Sequence, residues 1–175
     1  MVQIENLPLV LTGLGLTASI LYYTMTLRNA NRTQRMQLET RQAQMFVNIY
    51  SKQNSDEAHH NEFEIMNIEI RTADDYLELY QDKIKYTALQ WYMSFYEGMG
   101  VLVRQNLVDI ALVSQMLSGG IIWFWERYRD AFLDCRVRMN WPRFMIELEY
   151  LYERVKEYML EYHPDVGVKS PTPKG

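Results

Sequence analysis

Cysteine is nearly missing from this 175-residue chain. The single Cys135 excludes an intrachain disulfide and a thiolate zinc cluster, and it fits a reducing compartment. Glycine and proline are few, at eight and five, while methionine and aromatic residues are plentiful, a balance that favours long helices over strands. No segment sustains the two-residue alternation of a half-buried strand. Basic excess is missing too: the formal net charge is −4, so there is no overall electrostatic footprint for nucleic acid. The signatures of common chemistries are lacking as well. There is no phosphate-binding glycine loop, no nucleophile elbow and no pair of metal-binding cysteines, and the doubled Glu-x-x-His of di-iron bundles does not occur.

Charge is absent altogether from Leu7 to Leu27, LPLVLTGLGLTASILYYTMTL. As a helix this run is roughly 30 Å long, the thickness of a bilayer's hydrocarbon core. A cleaved signal peptide is the first alternative. Against it, no Lys or Arg precedes the run, the apolar core is long for a signal, and no small-x-small site closes it. A buried helix of a soluble domain is the second, but such helices carry a polar stripe, whereas the polar groups here are only Thr, Ser and two Tyr. The reading is a single membrane-spanning helix. Glu5 precedes it, while Arg28, Arg32, Arg35 and Arg41 follow with only Glu39 against them. Positive residues stay inside, so the amino terminus is expected outside and the carboxy-terminal domain in the cytoplasm, at the cell membrane. Tyr22 and Tyr23 suit the inner interface. Gly13 with Thr17, and Gly15 with Ser19, are small residues four apart that allow a second transmembrane helix to approach closely.

The rest divides by composition. Residues 1–27 form the anchor and 28–53 a helical stalk. In the stalk Met36, Ala43, Phe46, Val47 and Tyr50 make an apolar stripe. Residues 54–163 form a bundle of about five helices, and 164–175 lack apolar period and read as a disordered tail. Asn54, Ser55 and Asp56, and then Thr72, Asp74 and Asp75, read as turns that can cap the helix after them; a long helix is expected from about Asp82, and Asp109 can cap a short one. Phe63, Met66 and Ile70 are expected on one buried side. Further on, the row Ile84, Ala88, Trp91, Phe95, Met99 and Leu102 is expected to face the core, widened by Met93, Tyr96 and Val103. Ser118-Gly119-Gly120 reads as the break between a short helix starting at Ile110 and a longer one carrying Ile121, Trp125, Tyr128, Phe132, Cys135 and Met139. Pro142 opens the last helix, with Phe144, Leu148, Leu151, Val155, Tyr158 and Tyr162 in one row. Ile110 to Trp125 is apolar enough to suggest a second membrane segment, but Gly119-Gly120, with Gln115 and Ser118 beside it, argues against spanning.

From Ser94 the phrase SFYEGMGVLVRQNLVDIALVSQMLSGGIIWFWERYRDAF is the most patterned part of the chain. It resembles an uncharacterised family of prokaryotic membrane-anchored helical proteins. The matching positions are Phe95, Tyr96, Glu97, Gly98, Val108, Asp109 and Trp125. The resemblance implies one N-terminal transmembrane helix and a helical domain, and no activity.

Glu97 is the most interesting ionisable residue, a carboxylate on a helix read as largely buried, where an unpaired charge costs several kcal/mol. Arg104, two turns on, and Arg127, Arg129 and Arg136 on a neighbouring helix are its expected partners. The expectation is a structural polar node of Glu97, Arg104, Arg129 and Arg136; a polar ligand site there is the alternative. His60 and Glu64 share a helix face near His59 and Glu62, but they need a third ligand such as His163 to hold a metal, and they read as a solvated face. Cys135 reads as a buried small hydrophobe, and Trp123, Trp125, Tyr128 and Trp141 as core, with a ligand cage or base-stacking platform as the alternative. No catalytic residue, cofactor or metal is assigned. The function expected is a non-enzymatic, membrane-anchored interaction or accessory subunit. Its partners would be the lipid bilayer and either another protein or a second copy, met through the transmembrane helix or the helical body. A small-ligand or signal sensor coupled to the membrane helix is the second reading, which a polar-lined pocket near Glu97 would favour.

Overall fold

The computed structural model describes residues 7–164. Of the tail expected over 164–175 only Pro164 is described; the rest, like residues 1–6, lies outside the described residues. Within them the chain is all-α: α1 (Leu7–Gln53), α2 (Asp56–Met66), α3 (Ala73–Glu78) with a 3-10 turn at Leu79–Gln81, α4 (Lys83–Arg104), α5 (Ile110–Arg138) and α6 (Ile146–Tyr162). The chain falls into two units, Met1–Gln44 and Met45–Gly175.

The first unit holds the greater part of α1, 47 residues without a break. It contains a stretch long and apolar enough, by length and composition, to cross a membrane, and none of that stretch is buried in the chain. Four of its hydroxyls are turned inward on the backbone. Thr12, Thr17, Ser19 and Thr24 each donate to the carbonyl four residues back, at 2.7–2.8 Å. This satisfies a polar group without water.

The second unit is a helical bundle in which α6 packs against both α4 and α5, α2 against α4, and α3 against α5. Each expected capping turn supplies its cap from one residue, and Asp82 caps the helix it was expected to begin. Ser55 accepts from the Ala58 N–H, Thr72 and Asp75 make a reciprocal capping box, Asp82 accepts from Lys85 and Asp109 from Ala111. The axis of the core is α5. Ile121, Trp125, Tyr128, Phe132 and Cys135 are buried along it as the spacing predicts, joined by Phe124. Each large apolar side chain buried this way contributes on the order of 1.5–3 kcal/mol. The Tyr128 hydroxyl donates to the Ile65 carbonyl (2.6 Å), and Arg127 donates to the carbonyls of Met66 and Ile68, so α5 holds the exposed carbonyl end of α2.

Several rows are rotated from their expected positions. α2 ends at Met66 and buries Ala58, Asn61 and Ile65, leaving Phe63 and Met66 exposed; Ile70 is buried from the extended segment that follows. On α4 the buried residues are Ala88, Leu89, Tyr92, Met93, Tyr96, Met99, Gly100 and Val103, which include Ala88 and Met99 of the expected row and all of the widening row. Ile84 is exposed, while Trp91, Phe95 and Leu102 sit at the half-buried margin, where the Trp91 and Phe95 rings stack 5.4 Å apart. Tyr92 and Tyr96 take the inner face instead. Of the stalk stripe Phe46 is buried and Tyr50 half-buried, whereas Met36 and Val47 are exposed. Ser118-Gly119-Gly120 breaks nothing: α5 runs through it for 29 residues. At the other end α6 starts at Ile146, four residues after Pro142, because Asn140 and Met145 adopt left-handed backbone angles (φ 50° and 53°) and fold the intervening residues into turns.

Candidate functional site

Two places gather polar groups within the second unit. The first is where α6 begins. Its first-turn N–H groups need acceptors, and Met145, the residue at the cap position, has no side chain to offer one. Glu97 supplies it from α4: its Oε2 accepts from the Leu148 N–H at 2.8 Å, and the Glu147 N–H also pulls on the same carboxylate. Burial nevertheless holds the Glu97 carboxyl above the usual glutamate range, outweighing the backbone donors. One turn along α4, Gly100 lies so close to α6 that a Cβ there would come within 2.1 Å of the Glu147 carbonyl oxygen. A further turn on, the Arg104 guanidinium pairs with Glu147 and lies 3.8 Å from the Tyr150 ring centroid. Arg136 of α5 grips the same junction from the other side. It donates to the carbonyls of Phe144 (2.7 Å) and Met145 (3.1 Å) and pairs with Glu149 at 2.7 Å.

The expected node is thus resolved into separate duties. Arg104 and Arg136 both serve the α6 junction, but each pairs with a carboxylate other than Glu97, which accepts from backbone. Arg129 is not part of it: its guanidinium lies at the exposed side chain of Asp130. Arg127 is committed to the end of α2.

The second place is a cavity of about 430 Å³ between α2, α4 and α5. That volume is in the range of small-molecule sites. Its walls are apolar and aromatic: Ile65, Tyr92, Tyr96, Leu117 and Trp123. Gly120 makes it possible, since a Cβ there would meet the Tyr96 hydroxyl at 2.6 Å. Glu62 and Gln53 add polar groups to the lining. The Gln53 side-chain oxygen is buried without a hydrogen-bond partner. The Tyr96 hydroxyl lies on the same wall, against Gly120. Burial, with the Tyr92 and Glu62 charges behind it, pushes the Tyr96 phenol far up, and burial with Glu62 raises that of Tyr92 to about 12, so both rings stay protonated. Sequence patterning hides this site, because Tyr96 counts as an apolar position in its row and Glu62 as a surface charge. Two signals were available: Trp123 within the aromatic cluster that also reads as a ligand cage, and the tyrosine pair Tyr92 and Tyr96, one turn apart on α4.

The remaining candidates are dispersed. His59 approaches Glu62 to 3.7 Å on the exposed side of α2, and no group of three or more His, Cys, Asp or Glu among the described residues is placed to share a metal. Cys135 is fully buried, and burial raises its thiol to about 11. Trp125 and Tyr128 are core; Trp123 is half-buried at the cavity, and Trp141 is exposed. Gly13 and Gly15 have open space around them, and the Thr17 and Ser19 hydroxyls bond to their carbonyls.

An apolar helix and a small all-helical body, with no recognisable catalytic constellation among the described residues, define the class. Residues 9–155 match the family described as Domain of unknown function (DUF4760), and the chain belongs to that family. The match takes in both the apolar segment and most of the body. No curated protein and no solved structure matches the chain.

Proposed function

We propose that this is a single-pass membrane protein whose helical body works in the cytoplasm as an interaction or accessory subunit without catalysis of its own. The observation that carries the reading is the exposed apolar surface of α1. From Leu7 to Leu27 every residue is exposed, no charge interrupts the run, and the hydroxyls of Thr12, Thr17, Ser19 and Thr24 are closed onto the backbone. Exposed apolar surface on that scale is costly in water and calls for lipid or a partner. Arg28, Arg32, Arg35 and Arg41 lie just beyond the segment and favour a cytoplasmic location for the body. The resemblance to prokaryotic membrane-anchored proteins supports the same address. The paired small residues Gly13 with Thr17 and Gly15 with Ser19 offer two faces for a neighbouring transmembrane helix.

The accessory role is tested by purifying the tagged full-length chain from its native membranes in a gentle detergent. Recovery with one or more other chains at fixed stoichiometry, lost on Gly13→Leu or Gly15→Leu or on body-surface substitutions, is the expected result. Recovery as a lone monomer contradicts it.

A further inference from the structure

The cavity between α2, α4 and α5 has walls and acceptors but no donor of positive charge. Glu62 is its carboxylate; among the described residues the only ionic neighbour of Glu62 is His59, at 3.7 Å. The buried Gln53 oxygen is an unused acceptor, and Tyr96, only 2% exposed, brings a hydroxyl to the wall. No Lys or Arg lines the space. The nearest guanidinium in contact with its wall is that of Arg127, 5.5 Å from the Trp123 centroid, and it is already spent on the Met66 and Ile68 carbonyls. Unpaired acceptors at a low-dielectric surface ask for a donor, and aromatic faces beside a carboxylate ask for a cation.

We infer that this cavity binds a small amphipathic organic cation: an ammonium head received by Glu62, Gln53 and Tyr96, and an apolar or aromatic body held among Tyr92, Leu117 and Trp123. A carboxylate ligand finds no counter-charge there, and a purely apolar one leaves the acceptors unpaired. The site lies wholly within Met45–Gly175 and does not depend on whether α1 crosses a bilayer.

The test is calorimetric titration of the full-length chain in lipid nanodiscs, with empty discs as the blank, or in plain buffer should the chain prove soluble. The probes are 2-phenylethylammonium and its neutral counterpart 2-phenylethanol. The ammonium should bind at least about tenfold more tightly than the alcohol, the size of one favourable charge interaction of about 1.4 kcal/mol. Glu62→Gln, at an exposed position, should remove that preference and leave alcohol binding unchanged. Gly119→Leu, where a Cβ meets nothing within 4 Å, should fill the space and abolish binding of both probes. Three outcomes overturn the inference: no heat from the ammonium at millimolar concentration, equal affinity for the two probes, or ammonium binding that survives Glu62→Gln or Gly119→Leu in a folded variant.

Discussion

Glu97 does the work of a helix cap from another helix. A residue's own side chain is the usual donor of an N-terminal acceptor, but Met145 sits there in a left-handed conformation and has none. Removing the acceptor by Glu97→Leu leaves buried N–H groups unpaired and should lower stability by about 1–3 kcal/mol. Glu97→Gln keeps an acceptor and should cost far less. Equilibrium denaturation of the full-length protein reads both; equal losses would show that charge, not hydrogen bonding, seats α6. The pH dependence has a defined sign. Because burial raises the Glu97 pKa above its ordinary 4.5, the fold holds this proton more tightly than the unfolded chain. Its contribution is therefore full below about pH 4.5 and lost as pH rises through the folded value. Glu97→Gln carries no such loss, so its stability relative to wild type should improve between about pH 4 and pH 7. Gly100 is the other fixed point. Gly100→Val forces a side chain into the Glu147 carbonyl and should destabilise by at least about 1–3 kcal/mol, since α4 and α6 must separate.

At the scale of elements, adjacent glycines in α5 separate two roles. Gly119 faces open space, and Gly119→Ala should raise stability by about 0.5–1 kcal/mol through helix propensity alone. Gly120 faces the Tyr96 hydroxyl, and Gly120→Ala should lose that gain or reverse it as the ring is displaced. Thermal unfolding of the pair measures the difference, and identical shifts would mean that Tyr96 yields freely. Sequence alone could not separate them: a Gly-Gly pair looks like a break, and only the neighbour across the interface explains why the helix continues. The same holds for Pro142, a fair helix start by local rules. Arg136 instead fixes the carbonyls of Phe144 and Met145 and moves the start to Ile146. By contrast the capping turns around Ser55, around Thr72 and at Asp109 were legible, because capping is a local bargain between one side chain and one nearby N–H. The α5 row was legible as well, since a helix buried on most sides tolerates an error in phase. On α2 and α4 the apolar face is broad or weak, so the true buried row differs by a step or two from the most regular one. The cavity was hidden for a related reason, as it depends on three helices meeting.

For the whole molecule, the family match over residues 9–155 joins an apolar helix to a helical body in one recurring unit. Such a pairing makes sense if location is part of the function: the body is kept beside a bilayer, and its cavity and surfaces meet only what comes there. That proposal ties the anchor, the basic residues after it and the accessory role together, and all three depend on where the chain resides. Fractionation of cells expressing the untagged full-length chain, followed by alkaline carbonate washing of the membranes, is the most direct measurement. The account predicts that the protein stays in the washed membrane pellet and leaves it only with detergent. Appearance in the soluble fraction after plain lysis, without detergent or salt, would contradict it.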